Sequence, residues 1–159
     1  MDSSLDQHYI ERAVALAIRH SDDGVHGPFG AVVVRDRTVV GEGWNQVVAG
    51  RDPSAHAEIT AIRNACRDLD THVLSGCTLY SSCEPCPMCL AAIYWARLDR
   101  VVFACRAEDA ARAGFDDADI LREIALPWRE RRIAWSETDR ESGLRAFEAW
   151  IKNPRRVDY

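Results

Sequence analysis

The stretch Ser82-Cys83-Glu84-Pro85-Cys86-Pro87-Met88-Cys89 contains Cys86 and Cys89 three positions apart, next to two prolines. Proline suits the first turn of a helix, so a helix is predicted to begin here with both thiols on one face. About thirty positions upstream, His56-Ala57-Glu58 opens a second predicted helix. Thiolates and a neutral imidazole are common zinc ligands, so the two stretches together predict a metal site formed by Cys86, Cys89 and His56.

Glu58 indicates that the predicted metal site is catalytic. Three protein ligands leave the fourth position of a tetrahedral zinc ion to water, whose pKa then falls to about 7. Glu58 lies two residues after His56, and we expect its carboxylate to reach that water rather than the metal. There it would accept the water's proton, pass it to a ring nitrogen and later protonate a departing amine. Histidine-x-glutamate followed by Pro-Cys-x-x-Cys is the pattern of zinc-dependent base deaminases.

Cys83 leaves a second interpretation of the metal site open. It forms another Cys-x-x-Cys pair with Cys86, so three cysteines and His56 could enclose a structural zinc ion. That closed site would give Glu58 no role, and a chain of 159 residues buries a core without a structural metal. We therefore expect Cys83 not to be a ligand. The other cysteines fall on predicted apolar faces and are expected in the core: Cys66, Cys77 and Cys105.

Composition narrows the class of substrate and the compartment. The chain has 25 acidic and 20 basic residues, a formal charge of −5. A nucleic-acid substrate usually requires a basic face, so the charge favours a free base or a nucleoside. The sequence contains no apolar run of the roughly 18–20 residues that a membrane span requires, and its first residues lack the features of a secretory signal. We expect a cytoplasmic protein with reduced thiols.

Apolar periodicity predicts helices and strands that alternate along one domain. The predicted helices span Leu5–Arg19, His56–Leu69 with Ser54 as N-cap, Pro85–Trp95, Glu108–Arg112, Ile120–Leu126 and Arg140–Lys152. The predicted strands are Ala31–Val34, Thr38–Trp44, Cys77–Ser81, Arg100–Ala104 and Arg132–Ser136. The first two strands flank a short polar turn and suggest a hairpin. The alternation predicts an α/β fold with helices on both faces of the sheet.

Two motifs resemble the cytidine deaminase-like superfamily: His56–Arg63, and the stretch from Ser82 to Cys89. Within it, Ile93–Arg97, Ala113–Asp117 and the C-terminal tyrosine resemble the bacterial guanine deaminases, although Ala91 stands where these often have glycine. The resemblance implies a three-layer α/β/α sandwich around a five-stranded mixed sheet. It also implies one zinc ion per chain, with Glu58 as the proton shuttle.

The activity and assembly that the resemblance implies are more specific. The expected reaction is guanine and water to xanthine and ammonia, by attack of zinc-activated water at C2, as part of purine catabolism. The expected assembly is a homodimer of single deaminase domains, residues 1–159. Its C-terminal segment, about residues 140–159, would be swapped onto the partner chain, so that Tyr159 reaches the partner's active site. Considered without the resemblance, the tail is an ordinary frayed terminus.

Residues outside the metal motifs must determine which base is bound, because the zinc chemistry specifies only the reaction. A carboxylate complements the donors at N1 and the 2-amino group of guanine, and Asp117 or Asp116 would supply it. Either could instead cap the helix that follows. Asn45 offers a donor and an acceptor to a purine, or serves an ordinary turn. Phe29 and Trp95 could stack on the base or belong to the core.

Three other functions remain open at this stage. Guanosine or another nucleobase or nucleoside is the nearest alternative, since only the room at N9 separates guanosine from guanine. An adenosine in transfer RNA is opposed by the acidic balance and by Phe115-Asp116-Asp117. A non-catalytic zinc module is opposed by Glu58, which such a module would not need.

Overall fold

The computed structural model describes residues 3–157. Its helices are α1 (Ser3–Ser21), α2 (Val47–Gly50), α3 (Ala57–Asp68), α4 (Pro87–Trp95), α5 (Ala107–Arg112), α6 (Ala118–Ala125) and α7 (Arg140–Lys152), with a 3-10 turn at Trp128–Glu130. Its strands are β1 (Gly30–Arg35), β2 (Thr38–Trp44), β3 (Cys77–Cys83) and β4 (Arg100–Cys105). The chain forms two compact units, the first ending at Asp119 and the second beginning at Ile120.

The four strands form one mixed sheet in the order β2-β1-β3-β4. β1 runs antiparallel to β2 and β3, whereas β4 runs parallel to β3. The predicted hairpin between β1 and β2 is confirmed. Its two turn residues, Asp36 and Arg37, have positive φ values of 48° and 65°, which suit the tight turn of a two-residue hairpin even without glycine.

Helices cover both faces of the sheet, as the alternating pattern predicted. Ala31 and Val33 of β1 pack in one apolar cluster with residues of α3 and α4. Val32 and Val34 point to the other face, where they pack against Tyr9 of α1. The continuous apolar run in β1 is therefore explained by burial on both sides. The first unit is an α/β fold with α1 on one face of the sheet and α3 and α4 on the other.

An ion pair attaches α1 to the sheet. The Arg100 guanidinium of β4 donates two hydrogen bonds of 2.7 Å to the carboxylate of Asp6, and the Tyr80 hydroxyl donates a third of 2.9 Å. These contacts, with Arg100 first among them, lower the pKa of Asp6 to about 2. Charge-assisted pairs with two parallel bonds fix orientation as well as adding stability. The pair therefore fixes α1 relative to β3 and β4.

β2 packs directly on α3 because it presents glycine at two positions. A Cβ atom on Gly43 would lie 2.3 Å from the Ala57 oxygen and 2.5 Å from the Ala61 nitrogen. A Cβ atom on Gly41 would lie 2.4 Å from the Ala61 oxygen. Only glycine permits backbones to approach this closely. The contact fixes the first turn of α3, which carries Glu58.

The predicted fifth strand, Arg132–Ser136, is wrong, because the sheet formed by residues 3–157 has four strands. Its apolar residues Ile133 and Trp135 instead line a groove of about 210 Å³ with Ile120 and Ile124. Ile133 and Trp135 are 72% and 55% exposed, so the alternation of apolar residues does not mark the buried face of a strand. The fold is α/β with a four-stranded sheet, not the five-stranded sheet that the resemblance implied.

Two smaller predictions also differ from the structure, and one short helix was not predicted. The N-cap of α3 is His56 and not Ser54, whose hydroxyl instead donates to Asp52. Cys77 is buried and Cys66 packs partly against the core, but Cys105 is exposed at the end of β4, so its predicted burial is wrong. The short helix α2 was not predicted. Its four residues are too few to show a helical period.

The second unit contains most of α6, the 3-10 turn and α7. None of the described residues from 120 to 157 is buried. The apolar residues of α7 recur at helical spacing and remain exposed: Leu144, Phe147, Trp150 and Ile151. Across the described part of the chain, no helix has the length and apolar character needed to cross a bilayer.

We expect Gly43→Ala to reduce the free energy of unfolding by about 3 kcal/mol or more, because the added methyl group meets the backbone of α3. Urea unfolding measures this. The matched control is Gly143→Ala in α7, where a Cβ atom meets nothing within 4 Å. It should be neutral or stabilising by about 0.5–1 kcal/mol. A Gly43→Ala protein as stable as its parent would contradict the close contact of β2 with α3.

Candidate metal centre

Three potential metal ligands meet at the N termini of two helices. His56 is the N-cap of α3, Cys86 is the N-cap of α4, and Cys89 is the third residue of α4. Their ligand atoms all lie within 4.8 Å of one another. The Nδ1 atom of His56 lies 3.5 Å from Cys86 Sγ and 3.6 Å from Cys89 Sγ. The structure thus brings together the residues that the sequence predicted as ligands.

The geometry of this group fits zinc. With zinc–nitrogen and zinc–sulfur bonds near 2.1 and 2.3 Å, tetrahedral coordination separates nitrogen from sulfur by about 3.6 Å. The observed separations of 3.5 and 3.6 Å between Nδ1 and the two sulfurs agree with this value. One imidazole and two thiolates also form a donor set that zinc favours. His56, Cys86 and Cys89 can therefore hold the ion without rearrangement.

Hydrogen bonds within the group already favour one thiolate. The bond with Cys89, followed by the bond with His56, lowers the pKa of Cys86 to about 4. The same hydrogen bond, together with burial, raises the pKa of Cys89. The pKa of His56 is raised, chiefly through its contact with Cys86. Cys86 is therefore a ready anionic ligand.

Glu58 lies beside the three ligands but is not one of them. It is the second residue of α3 and only 6% exposed. Its Oε1 accepts a hydrogen bond from Ser81 Oγ at 3.4 Å, and its Oε2 accepts one from Cys89 Sγ at 3.4 Å. Burial raises the pKa of Glu58. A raised pKa suits a carboxyl group that must both accept and donate a proton near neutral pH.

Cys83 does not join the metal group that the described residues form. Its thiol donates to the Arg106 carbonyl oxygen at 3.6 Å, and burial raises its pKa to about 11. Its sulfur is therefore engaged by the backbone near α5 and does not lie among the ligand atoms of His56, Cys86 and Cys89. The closed site of three cysteines and one histidine therefore lacks its third cysteine.

A cavity of about 600 Å³ opens beside His56, and Asn45 and Phe115 contribute to its wall. Asn45 is buried, and its Oδ1 accepts a hydrogen bond from the backbone of Val47 at 3.3 Å. Phe29 supports the wall from behind, since its ring meets that of Phe115 edge to face with centroids 4.9 Å apart. Two of the residues predicted to bind substrate, Asn45 and Phe29, thus lie at or behind this cavity.

The two aspartates after Phe115 have different environments. Asp116 Oδ1 accepts a hydrogen bond of 2.9 Å from the Ala118 nitrogen, so Asp116 caps α6. Asp117 is partly buried; burial, and next the negative charge of Cys86, raises its pKa. The charge of Asp117 in turn contributes to the raised pKa of His56. Of the two, Asp117 is the carboxyl group whose charge interacts with those of His56 and Cys86.

The structure does not place Trp95 in the wall of the cavity. Trp95, the last residue of α4, is 67% exposed, and the residues that line the cavity do not include it. Tyr159 lies outside the residues that the structure describes. The roles of both remain predictions.

Sequence reasoning missed two residues of the site, Ser81 and Phe115. Ser81 was recognised only as the end of a strand. Its signal is the period of two along β3, which puts it on the same face as Leu79, in the cluster with α3. Phe115 belonged to a recognised turn motif, but its place in the cavity wall depends on how that turn folds back towards His56.

Comparison with known proteins gives a consistent result. Residues 3–105 match the family described as the cytidine and deoxycytidylate deaminase zinc-binding region. The chain is 48% identical over 151 residues to guanine deaminase from Bacillus subtilis, covering 95% of this chain and 97% of that protein. It is 31% identical to a tRNA-specific adenosine deaminase from Aquifex aeolicus, covering 94% and 95%. A crystal structure of guanine deaminase from Bacillus subtilis superposes with a TM-score of 0.94 at 47% identity, covering 96% of this chain and 98% of that one.

The ligand assignment predicts opposite results for two neighbouring cysteines. Cys86→Ser should reduce bound zinc from about one ion per chain to about a tenth of that, because a serine hydroxyl is a poor zinc ligand. Cys83→Ser is the matched control and should retain about one ion per chain. Metal analysis of the purified variants measures both. Loss of zinc from Cys83→Ser would instead support the closed structural site of three cysteines and one histidine.

Proposed function

The chain belongs to the cytidine and deoxycytidylate deaminase family, and from this premise we propose that it hydrolyses guanine to xanthine and ammonia. The similarity to the guanine deaminase of Bacillus subtilis, which extends over nearly the whole chain, carries the choice of substrate. The arrangement of His56, Cys86, Cys89 and Glu58 supports the choice of reaction. The enzyme would thus act on the carbon–nitrogen bond of a cyclic amidine.

His56, Cys86 and Cys89 would hold the zinc ion. When bound, zinc supplies a Lewis acid that brings the pKa of water towards neutrality. Glu58 accepts the proton of the attacking water and delivers it to the ring nitrogen beside C2. It would then take the remaining proton from the hydroxyl group now on C2 and deliver it to the amine. The C2–O bond becomes a carbonyl as the C2–N bond breaks, so that water and guanine yield xanthine and ammonia. Its burial suits this role, because a raised pKa keeps its proton affinity close to that of its partners.

Three groups would select the base. The Asp117 carboxylate would accept hydrogen bonds from the N1 and amino edge of guanine, whereas one oxygen of Asp116 already accepts from the Ala118 nitrogen of α6. The buried Asn45 amide would bind the purine through its remaining donor and acceptor capacity. Phe29 and Trp95 would provide aromatic surface for the base. Phe29 would do so by supporting the ring of Phe115, and Trp95 would do so in the assembled dimer.

The assembly that suits this chain is a homodimer of deaminase domains, each spanning residues 1–159. Its C-terminal segment, from about residue 140, would exchange between the chains and carry Tyr159 to the partner's active site. The exposed apolar residues of α7 support this, since apolar patches of this kind mark interaction surfaces. So does α4, which also carries exposed apolar residues: Met88, Leu90, Tyr94 and Trp95. A cytoplasmic location suits free thiols that serve as ligands.

Two alternative substrates have an observation in their favour. The cavity of about 600 Å³ has room for more than a free purine, which favours guanosine. Tyr159 from the partner would remove that room. The similarity to a tRNA-specific adenosine deaminase favours an adenosine in transfer RNA. The formal charge of −5 opposes it, because binding to nucleic acid depends on neutralising several phosphates.

The substrate proposal is tested by ammonia release from guanine, guanosine, cytosine, adenine and ammeline. We expect turnover of guanine to exceed that of the others. Glu58→Gln should retain zinc and lose about a thousandfold in kcat, because it cannot transfer the proton. Release from another compound but not from guanine would assign a different substrate within the family. Full activity of Glu58→Gln would contradict the proton shuttle.

A second experiment tests the tail. Deletion of residues 155–159 should leave folding and zinc content unchanged and lower kcat/KM for guanine by about tenfold or more, because the substrate loses a positioning contact. Tyr159→Ala should reproduce most of this loss. Val157→Ala, at an exposed residue, is the matched control and should retain full activity. Unchanged turnover by the deletion variant would remove the tail from the active site.

A further inference from the structure

We propose that Ser81 is a positioning residue that orients the carboxylate of Glu58 for proton transfer; this inference rests on the proposed deaminase reaction. The Ser81 hydroxyl donates to Glu58 Oε1 at 3.4 Å. Both side chains are buried, Ser81 at 1% and Glu58 at 6% exposure. Neither side chain can exchange the other for bulk water, so the contact persists in the folded protein.

Ser81 provides a fixed point because its strand is held on both sides. It pairs with Ala31 of β1 and with Phe103 of β4. Its hydroxyl oxygen also accepts a hydrogen bond from the backbone nitrogen of Cys83 at 3.5 Å. An oxygen that accepts from the backbone directs its own proton elsewhere, and the acceptor within reach is Glu58. The central strand thereby sets the direction of the carboxylate.

Glu58 depends on this contact when the metal site is occupied. Among the residues that the structure describes, the side chains that donate to its carboxylate are those of Ser81 and Cys89, and its own backbone N–H is a further donor. A Cys89 thiolate that coordinates zinc has no proton to donate. Ser81 then remains to hold Oε1, and Oε2 stays available to the water and the substrate. Without the hydroxyl, Oε1 would lose its side-chain donor, and we expect the carboxylate to shift from this orientation.

The neighbouring Ser82 offers a matched control. It is also buried, at 6% exposure, and lies on the same strand. Its hydroxyl accepts a hydrogen bond of 3.0 Å from the Gly30 nitrogen and points to the opposite face of the sheet from Ser81. Replacing either serine by alanine removes one buried hydroxyl from β3. Only the change at Ser81 removes a partner of Glu58.

The experiment compares Ser81→Ala, Ser81→Thr and Ser82→Ala as zinc-loaded proteins. For Ser81→Ala we expect kcat for guanine to fall by about tenfold to a hundredfold, with KM within about twofold and zinc content unchanged, because the defect lies in orientation. Ser81→Thr, which restores the hydroxyl, should recover most of kcat. Ser82→Ala should retain kcat. Crystal structures should show the Glu58 carboxylate displaced in Ser81→Ala and in its original position in Ser82→Ala.

Several results would overturn the role of Ser81. They are wild-type kcat in Ser81→Ala, an equal loss of kcat in Ser82→Ala, and a loss in Ser81→Ala that follows the loss of zinc. Failure of the proposed function has a different signature, since the wild-type protein itself would not release ammonia from guanine. The crystal structures then decide the matter alone: a displaced Glu58 in Ser81→Ala supports the inference, and an unmoved one refutes it.

Discussion

The direct contact between the backbones of β2 and α3 is the constraint on which the site depends. Gly41 and Gly43 let the helix lie closer to the strand than any side chain would permit. The N terminus of α3 is thereby fixed on the sheet, with His56 as its cap and Glu58 in its first turn. β3 pairs with β1 in the same sheet, and the chain that leaves β3 begins α4 at the two cysteines. Two rigid attachments to one sheet thus bring three ligand atoms within tetrahedral distance, without any help from flexible loops.

The site has an energetic cost that the surrounding fold must offset. A buried carboxyl group with few hydrogen-bond donors is destabilising when charged, and Glu58 has two neutral side-chain partners. A raised pKa is the result, and the same property makes the group useful for moving protons. The carboxyl group that holds α1 in place has the opposite shift, because pairing with Arg100 lowers the pKa of Asp6. The carboxylate of Asp6, which has a charged partner, therefore stabilises the fold. The carboxyl group of Glu58, which has none, is suited to proton transfer.

Sequence patterns correctly predicted those residues whose position is determined by a local motif. The ligands His56, Cys86 and Cys89 could be predicted because each lies next to a recognisable helix start. The predicted strand at Arg132–Ser136 is wrong. Alternating apolar residues indicate a segment with one apolar face, but they do not show whether a sheet or another element lies against that face. The proposed preference for Asp117 over Asp116 depends on the hydrogen bond between Asp116 and the Ala118 nitrogen, which sequence cannot locate. Ser81 was missed because a serine in a strand has no signature until the residue opposite it is known.

The residues proposed for the reaction lie in one part of the chain, whereas those proposed for recognition of the base are spread along it. The family match ends at Cys105, and every proposed metal ligand, together with Glu58 and Ser81, lies before that point. Asp117, Phe115 and the proposed tail contact lie after it. Beyond residue 119 the described residues bury no side chain, so that part of the sequence is not restricted by a core of its own. The residues proposed to recognise the base fall on both sides of Cys105, since Asn45 and most of the cavity wall lie before it and Asp117 lies after it. We therefore expect changes beyond residue 105 to affect the choice of base more than the zinc chemistry.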